Sequence, residues 1–483
     1  MFNPSEVLMG FCLLILSPAP CVDIQNSNSY IQPGFWQASE KGKPPQKEQT
    51  RGSKTQSVPG LWGAACLNAF QYSLLRSWRL GGSNSSLKKD SQQPVWRQIA
   101  LTTIPLLKAS AVPTPTRPTV AEIDLKALAH NLKGVRRKVG RDVKVMAVVK
   151  ANAYGHGIVE VAKFLQHQSV DYFGVANAEE GVTLREAGIT APIHIFTIPA
   201  ATQIAACTSF GLEPTICTET EARLLNEQAQ RSRKILSVHI KVDTGMNRIG
   251  VRLRDLGKFV RILGSLRRLE IKGVYTHFAA ADRRDKSFSR QQLDLFHQAL
   301  DTLRVAGVAP EVVHCAGSAG ILDLPESYFS MVRPGIMLYG YYPSAETTES
   351  VPLKPVLTLK SRVSLVKWIE PGESVSYGRR FIARRRTKIA TLPVGYADGY
   401  MRLLTGQSEV LIGGHMVPTV GTICMDQLMV DVGTNNVRVG DEAVLIGRQG
   451  RKLISAWDLA SKVGTIPYEI CTNISSRVPR IVG

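Results

Sequence analysis

Eight short apolar segments, each followed by a helical pattern or a turn, dominate the sequence between residues 119 and 343. Near-continuous apolar strands that alternate with helices are typical of a parallel sheet buried on both faces. Eight such units within about 220 residues match a closed (β/α)8 barrel of the TIM type. A doubly wound open sheet is the alternative, but no GxGxxG follows the first strand. The predicted strands are Val145–Val149, Tyr172–Ala176, Ile193–Thr197, Glu213–Ile216, Leu236–Val242, Ile271–His277, Glu311–Cys315 and Met331–Arg333.

The helical pattern stops near Ser344, and short strands separated by Gly and Pro follow. This pattern is typical of an antiparallel β domain. We therefore predict an α/β protein with a barrel at 119–348 and a mostly antiparallel β domain at 349–483. The predicted strands are Val356–Val366, Arg386–Leu392, Glu409–Ile412, His415–Val420, Leu428–Val432 and Glu442–Ile446, with one late helix at Ala456–Lys462.

Residues 1–118 differ in composition from the rest of the chain. They are rich in Ser, Gln, Gly, Lys and Pro without a sustained period, which predicts a largely disordered extension and linker. The apolar run Val7–Leu16 resembles the core of an export signal, but Glu6 and no basic residue precede it, which favours a cytoplasmic protein. Export and an organellar transit peptide are the alternatives for this extension. The run is also about half of the ~20 residues that a membrane span needs, so we predict no membrane association.

The charge balance raises the question of an anionic partner. The chain has 59 Lys plus Arg against 39 Asp plus Glu, a formal net charge of +20. Clustered basic residues would indicate a nucleic-acid partner. The basic residues are spread along the chain apart from one run at 379–386, so we predict a solvated basic surface and no nucleic-acid partner. The eight cysteines contain no CxxC pair, and we predict no metal site.

The first predicted barrel strand leads into the string VVKANAYGHG, which places Lys150 at the carboxyl end of an apolar strand. This end of a barrel carries the catalytic residues in enzymes of the fold. Apolar neighbours lower the pKa of a lysine, and a neutral amine is the form that reacts with carbonyl compounds. A lysine that simply reaches solvent is the commoner use of such a position, and the wider sequence context favours the reactive amine.

Eight strings along the chain supply that context: VVKANAYGHG, KVDTGMNRIG, THFAAAD, RPGIMLYG, VSYG, GYADGY, CMDQLMVD and RVPR. In this order and spacing they resemble those of the alanine racemases, pyridoxal 5'-phosphate enzymes with a barrel and a C-terminal β domain. The resemblance extends from about Thr119 to Ile481 and leaves residues 1–118 without a counterpart. It implies that a homodimer interconverts L-alanine and D-alanine, and that D-alanine supplies peptidoglycan synthesis.

The resemblance also implies a two-base mechanism. Lys150 would bind pyridoxal phosphate and act as acid and base on one face of the substrate Cα. Tyr377, in the VSYG string, would act on the opposite face and would come from the second subunit. Inversion requires a group on each face, because the proton leaves from one side of the carbon and returns to the other.

Further roles around the cofactor ring follow from the resemblance. Arg333 would donate to the pyridine nitrogen, which an arginine, unlike a carboxylic acid, cannot readily protonate. His277 should lie within hydrogen-bond reach of Arg333. Arg248 would contact the phenolic oxygen of the cofactor and the substrate carboxylate. Lys241 matches a lysine that the family carbamylates, whose new negative charge would orient Arg248.

The remaining residues implied by the resemblance serve the phosphate and the substrate. Those around the phosphate are Tyr154, Ser318, Gly335, Ile336 and Tyr468. Those around the substrate are Met425, whose backbone N–H would bind the carboxylate, and Asp426 and Tyr396, which would narrow the access channel. The sequence departs from the family pattern at Gly317, where Asn is usual, and at Asn247, where Gly is frequent.

Three alternatives remain open on the sequence alone. A racemase of the same fold could accept serine or larger amino acids. A barrel-type decarboxylase of basic amino acids shares both domains, but it should carry an acidic residue where this chain has Arg333. A non-catalytic pyridoxal-phosphate-binding protein should have only the barrel, so the predicted β domain argues against it.

Overall fold

The computed structural model describes residues 117–483. The extension predicted to be disordered, with its signal-like run, lies outside the described residues except for Arg117 and Pro118. No helix within 117–483 is both long and apolar enough to cross a bilayer.

The described chain begins with strand β1 (Val120–Ile123) and helix α1 (Leu125–Val139). Asp124 caps the helix, because its carboxylate accepts a hydrogen bond from the backbone N–H of Ala127 at 2.9 Å. Leu128 and Leu132 lie on one face of the helix and are buried. The helix is therefore amphipathic, and its apolar face packs on the core.

Eight parallel strands close into the predicted barrel. Each strand pairs with the next along the chain, and the ring closes because the last pairs with the first through Met331 and Lys144. A two-residue strand, β7 (Val251–Arg252), pairs with the outside of the ring. The barrel strands are β2 (Lys144–Val148), β3 (Tyr172–Val175), β4 (Ile193–Ile195), β5 (Glu213–Ile216), β6 (Leu236–Asp243), β8 (Leu269–Tyr275), β9 (Val312–Gly317) and β10 (Met331–Arg333).

Helices follow the barrel strands and cover their outer faces, since strands of this composition are apolar on both sides. The first of them, α2, is a single turn with an unusual backbone that is described with the site. The helices of this part are α2 (Lys150–Tyr154), α3 (Ile158–His167), α4 (Ala178–Glu186), α5 (Ile204–Ser209), α6 (Glu219–Arg231), α7 (Leu253–Ser265), α8 (Ser287–Val305) and α9 (Ser318–Asp323).

The C-terminal part is a mostly antiparallel sheet, as predicted. The predicted single strand Val356–Val366 was wrong in its extent, because the chain breaks between Arg362 and Leu365 and its two halves pair with different neighbours. The strands are β11 (Leu357–Arg362), β12 (Leu365–Ile369), β13 (Ser374–Val375), β14 (Phe381–Ile382), β15 (Thr387–Leu392), β16 (Glu409–Ile412), β17 (His415–Val420), β18 (Leu428–Gly433), β19 (Glu442–Gln449), β20 (Lys452–Ile454) and β21 (Arg480–Val482), and the helices are α10 (Ala456–Val463) and α11 (Pro467–Thr472).

The sheet also contains the first strand of the described chain. Its order is β12-β15-β18-β17-β16-β19-β11-β1-β21, with β20 beside β19, and β13 and β14 form a separate pair. β1 runs antiparallel to β11 and parallel to β21. One apolar core includes buried residues of both parts, such as Val148 in the barrel and Leu411 in the sheet. The chain therefore enters the barrel from the sheet and returns to the sheet.

Replacing the cap of α1 should destabilise the protein measurably. In Asp124→Ala the N–H of Ala127 loses its acceptor, and we expect the free energy of unfolding to fall by about 1 kcal/mol. Asp142→Ala is the control: Asp142 is an exposed carboxylate in the next loop, and its loss should change stability by less than about 0.5 kcal/mol. Urea denaturation of the two variants would measure both values, and equal stabilities would contradict the capping role.

Candidate active site

A cavity of about 180 Å³ lies where the carboxyl ends of the barrel strands meet. Ten of the residues predicted for the site line it: Lys150, Tyr154, Lys241, Arg248, His277, Ser318, Arg333, Gly335, Ile336 and Tyr468. Gly317, named above as a departure from the family pattern, also lines the cavity. The sequence did not predict the other lining residues, which are Val148, Phe196, Ile249 and Tyr275. The fold thus gathers residues that are up to 320 positions apart in the sequence around one small space.

Lys150 follows β2 after one residue, Val149, and begins a helical turn of the opposite hand. Ala151, Asn152 and Ala153 have φ of +53° to +54° and ψ of +45° to +53°. These values lie in the left-handed region, which non-glycine residues rarely occupy. Such a conformation costs about 1–2 kcal/mol per residue, so the surrounding structure must hold it. Gly155 ends the turn at φ +83°, and a Cβ there would lie 2.0 Å from the carbonyl oxygen of Cys471 in α11.

The amine of Lys150 lies among other cations. Burial lowers its pKa from the usual value, and the positive charge of Arg248 lowers it further. A lowered pKa increases the neutral fraction of the amine near pH 7, which is the nucleophilic and basic form. The amine can therefore react with a carbonyl group and accept a proton.

The charged side chains that line the cavity are all basic, and no Asp or Glu within residues 117–483 joins them. Lys241 is 3% exposed, and its Nζ has no hydrogen-bond partner in the described part of the chain. The amine lies 4.7 Å from the centre of the Tyr275 ring. Burial, reinforced by Arg333, holds its pKa well below the usual value. A cavity with this lining favours an anionic occupant, because an anion would offset the mutual repulsion of the cations.

Arg333, at the end of β10, is 4% exposed and fixed by four acceptors. Its Nη1 donates to Nδ1 of His314 at 3.0 Å. Its Nη2 donates to the carbonyl oxygens of Thr276 and Cys315 at 2.9 and 2.7 Å, and to Nδ1 of His277 at 3.2 Å. The predicted contact between His277 and Arg333 is therefore present. Its Nε and the second N–H of Nη1 donate to no acceptor in the described part of the chain, which leaves them as directional donors for an occupant of the cavity.

Hydroxyl and backbone donors form the opposite wall. Ser318 Oγ accepts hydrogen bonds from the N–H of Gly335 at 3.0 Å and of Met337 at 3.4 Å. A Cβ on Gly335 would lie 2.5 Å from the hydroxyl of Tyr154, so only glycine leaves this hydroxyl in place. Burial raises the pKa of Tyr154 and of Tyr468, which keeps both phenols protonated as donors. Such a set of neutral donors suits a phosphate group.

Tyr377, Tyr396, Met425 and Asp426 do not line the cavity. They lie on the surface of the sheet part, where Tyr377 is 72% exposed and Met425 is 53% exposed. Backbone hydrogen bonds from Tyr396 to Cys424 and from Ala397 to Met425 hold two of their segments together. Thr422 Oγ1 donates to the carbonyl oxygen of Tyr377 at 2.7 Å. In a single chain the predicted site residues therefore form two groups, one in the barrel and one on the sheet.

Residues 123–343 match the family model of the alanine racemase N-terminal domain, and residues 356–482 match that of the C-terminal domain. The chain belongs to the alanine racemase family. An alanine racemase of Halothermothrix orenii is 49% identical to this chain over 366 residues, which are 76% of this chain and 97% of that protein.

Solved structures of the family share the fold. An alanine racemase from Bacillus anthracis with bound L-Ala-P has a TM-score of 0.74 and 38% identity, and covers 77% of this chain and 96% of its own. A histidine racemase from Leuconostoc mesenteroides subsp. sake has a TM-score of 0.72 and 30% identity, and covers 77% of this chain and 99% of its own. Solved structures with this fold thus include proteins named as racemases of two different amino acids, alanine and histidine.

Removing the Ser318 hydroxyl should destabilise the protein without bound cofactor. Ser318→Ala leaves the buried N–H groups of Gly335 and Met337 without this acceptor, and we expect unfolding free energy to fall by about 1–3 kcal/mol. Ser289→Ala is a matched control, because Ser289 is also buried but its Oγ has no hydrogen-bond partner among residues 117–483. Its loss should leave stability unchanged or slightly higher, as chemical denaturation of both variants would show.

Proposed function

We propose that this protein is a pyridoxal-phosphate-dependent alanine racemase that acts as a homodimer and uses one base on each face of the substrate Cα. The observation that carries the proposal is Lys150, a partly buried amine with a lowered pKa at the carboxyl end of β2. Family membership and the names of the relatives make alanine the substrate to test first.

The residues of the cavity fit the cofactor. Its anionic groups would find the guanidinium groups of Arg248 and Arg333 and no competing carboxylate among the described lining residues, and the amine of Lys150 would be available to its aldehyde. Tyr154, Tyr468, Ser318 and the N–H groups of Gly335 and Ile336 would hold the phosphate. When bound, pyridoxal phosphate withdraws electrons from the Cα of an attached amino acid and makes its proton acidic.

Lys150 and Tyr377 would each transfer a proton on one face of the substrate Cα. Neutral Lys150 can accept a proton at Nζ, and the resulting ammonium can return one to the same face of Cα. The phenol oxygen of Tyr377 would serve the opposite face. Racemisation in both directions requires that each group act once as the acid and once as the base.

A second subunit would bring the two groups together. Tyr377 lies outside the cavity of its own chain, and a phenol that is 72% exposed is available to a partner. A two-fold symmetric dimer would place the Tyr377 group of each chain at the cavity of the other, because the contact is the same in both directions. Met425, Asp426 and Tyr396 would then complete the substrate side of each site.

Arg333 would limit the chemistry at the pyridine nitrogen. A guanidinium donates hydrogen bonds but does not give up its proton at ordinary pH. The ring nitrogen would therefore stay unprotonated, and negative charge at Cα would be less strongly delocalised than with a carboxylic acid partner. With Arg333 as the partner, return of the proton to Cα would be favoured over transamination.

Carbamylation of Lys241 would resolve its lack of a partner. A neutral amine can add CO2, and the resulting carbamate is an anion among three cationic neighbours. This anion would reduce the repulsion inside the cavity and could orient Arg248. The same modification would explain why so long a polar side chain is buried with Nζ unpaired.

Substrate breadth is the main competing possibility. The similarity to the histidine racemase favours a test of larger amino acids, although the alanine racemases are more similar to this chain in sequence. A non-catalytic role is disfavoured because the C-terminal domain is present. We further propose that the enzyme is cytoplasmic and supplies D-alanine for peptidoglycan.

Single substitutions should separate cofactor binding from catalysis. We expect Lys150→Ala to lose covalently bound pyridoxal phosphate and Tyr377→Phe to keep it, while L-to-D conversion falls at least about 100-fold in both. Chiral chromatography after incubation with L-alanine, L-serine or L-histidine measures conversion, and borohydride reduction marks the labelled lysine. Tyr342→Phe, which removes a hydroxyl bonded to the carbonyl oxygen of Val351, should remain active.

Mixing the two inactive variants tests the shared site. Random reassociation of equal amounts makes half of the dimers mixed, and each mixed dimer has one intact site, so about a quarter of the wild-type activity should return. No recovery despite demonstrated subunit exchange would show that both bases belong to one chain.

Lys241 should carry a carbamate in the native protein. With 13C-bicarbonate we expect a carbamate carbon signal in the 13C NMR spectrum that Lys241→Ala lacks. Because burial holds the pKa of Lys241 low, the signal should persist at neutral pH and disappear as acid protonates the amine. Lys272→Ala is the control, since Glu311 raises the pKa of Lys272 and keeps that amine charged. A signal retained in Lys241→Ala would contradict the assignment.

A further inference from the structure

A line of buried polar side chains crosses the barrel from its amino end to Arg333. Glu213 begins β5, at the end of the barrel opposite the cavity. Its Oε2 lies 2.8 Å from Nε2 of His239, and Nδ1 of His239 lies 3.0 Å from Nε2 of His314. Nδ1 of His314 lies 3.0 Å from Nη1 of Arg333. Both imidazoles and the guanidinium are buried.

The donor of each of these hydrogen bonds can be deduced from Arg333. A guanidinium only donates, so Nδ1 of His314 must be the acceptor and carry no proton. Burial and the charge of Arg333 lower the pKa of His314, so it is neutral and its proton is on Nε2. That proton is donated to Nδ1 of His239, so Nδ1 of His239 is an acceptor and carries no proton. The single proton of the His239 ring is therefore on Nε2. The last donor therefore points at the carboxylate of Glu213.

The fold makes room for this line at one position. β8 lies between β6, which carries His239, and β9, which carries His314. Gly273 of β8 lies beside the contact between His239 and His314, and a Cβ at this position would lie 2.3 Å from Nδ1 of His239. A side chain at 273 would thus displace His239 from His314.

Aromatic contacts restrict the two imidazoles. Tyr275 stacks on His314 with ring centres 4.8 Å apart and planes 5° apart. His194 lies 4.2 Å from the ring of His239 and is itself held through the backbone carbonyl of Glu213. Rings confined in this way cannot turn easily to find other partners, so the acceptor at the end of the line matters.

We propose that Glu213 is a positioning residue for Arg333 and acts through His239 and His314. Its carboxylate is the final acceptor that allows all three hydrogen bonds to run in one direction. With Nη2 and one N–H of Nη1 committed to the barrel, Nε and the other N–H of Nη1 remain as donors for the cavity. The kinetic consequence rests on the proposed function, in which Arg333 contacts the cofactor, whereas the direction of the hydrogen bonds does not.

Two substitutions of Glu213 in the holoenzyme test the proposal. Glu213→Leu removes the acceptor, and we expect kcat for alanine racemisation to fall about ten-fold with KM nearly unchanged, as for supporting residues that orient a group at a site. Glu213→Gln keeps an oxygen that accepts from His239, and we expect it to restore most of kcat. The absorption spectrum of bound pyridoxal phosphate should change in the Leu variant and return with Gln.

Glu311→Leu is the matched control. Glu311 precedes β9 at the same end of the barrel and pairs with Lys144 and Lys272, outside the line. Its loss should leave kcat and the cofactor spectrum unchanged. A Glu213→Leu enzyme with wild-type kcat and spectrum, or a Gln variant no better than Leu, would overturn the proposal.

Nitrogen NMR of 15N-histidine protein gives a readout that does not depend on activity. We expect His239 and His314 of the wild type to carry a proton on Nε2 and none on Nδ1 at neutral pH. A proton on Nδ1 of His314 would overturn the inferred direction, even if the Leu variant failed to fold. Absence of racemisation by the wild type would instead refute the proposed function, and the two failures are therefore distinguishable.

Discussion

Confinement of four cationic side chains in one small cavity is the constraint on which the site depends. Lys150, Lys241, Arg248 and Arg333 line about 180 Å³ without a carboxylate among the described residues. Their repulsion and burial lower the pKa of both lysines and make each more nucleophilic. The same repulsion makes an anionic occupant stabilising. One electrostatic arrangement thus accounts for the reactivity of the amines and for the kind of ligand that the cavity selects.

The rigid scaffold around the cavity keeps these charges in place. The left-handed turn after Lys150 is held where α11 approaches so closely that residue 155 must be glycine. Arg333 is held by acceptors from two neighbouring strand ends. Strained backbone and buried charge both cost stability, and the extensive core shared by barrel and sheet offsets them. The barrel therefore holds the strained turn after Lys150 and the buried basic side chains at fixed positions.

Apolar periodicity predicted the strands of the barrel, and the resemblance of the local strings to a known family implied ten residues of the cavity. Neither predicted Tyr275, Phe196 or the His239–His314 contact, which depend on where side chains from separate strands meet. The left-handed turn was also not foreseen, since alanine at 151 and 153 gives no sign of positive φ. The break at 362–365 was missed because a run of strand-forming residues does not show where a strand changes partner.

β1 has a consequence for how the protein can be divided. It lies between β11 and β21, so the first strand of the described chain holds the last one in the sheet. A fragment starting at residue 349 would lack the strand that joins these two, and a fragment ending at 348 would carry β1 without its neighbours. Barrel and sheet are consecutive in sequence but interlocked in space, and we expect them to fold as one cooperative unit rather than as separable modules.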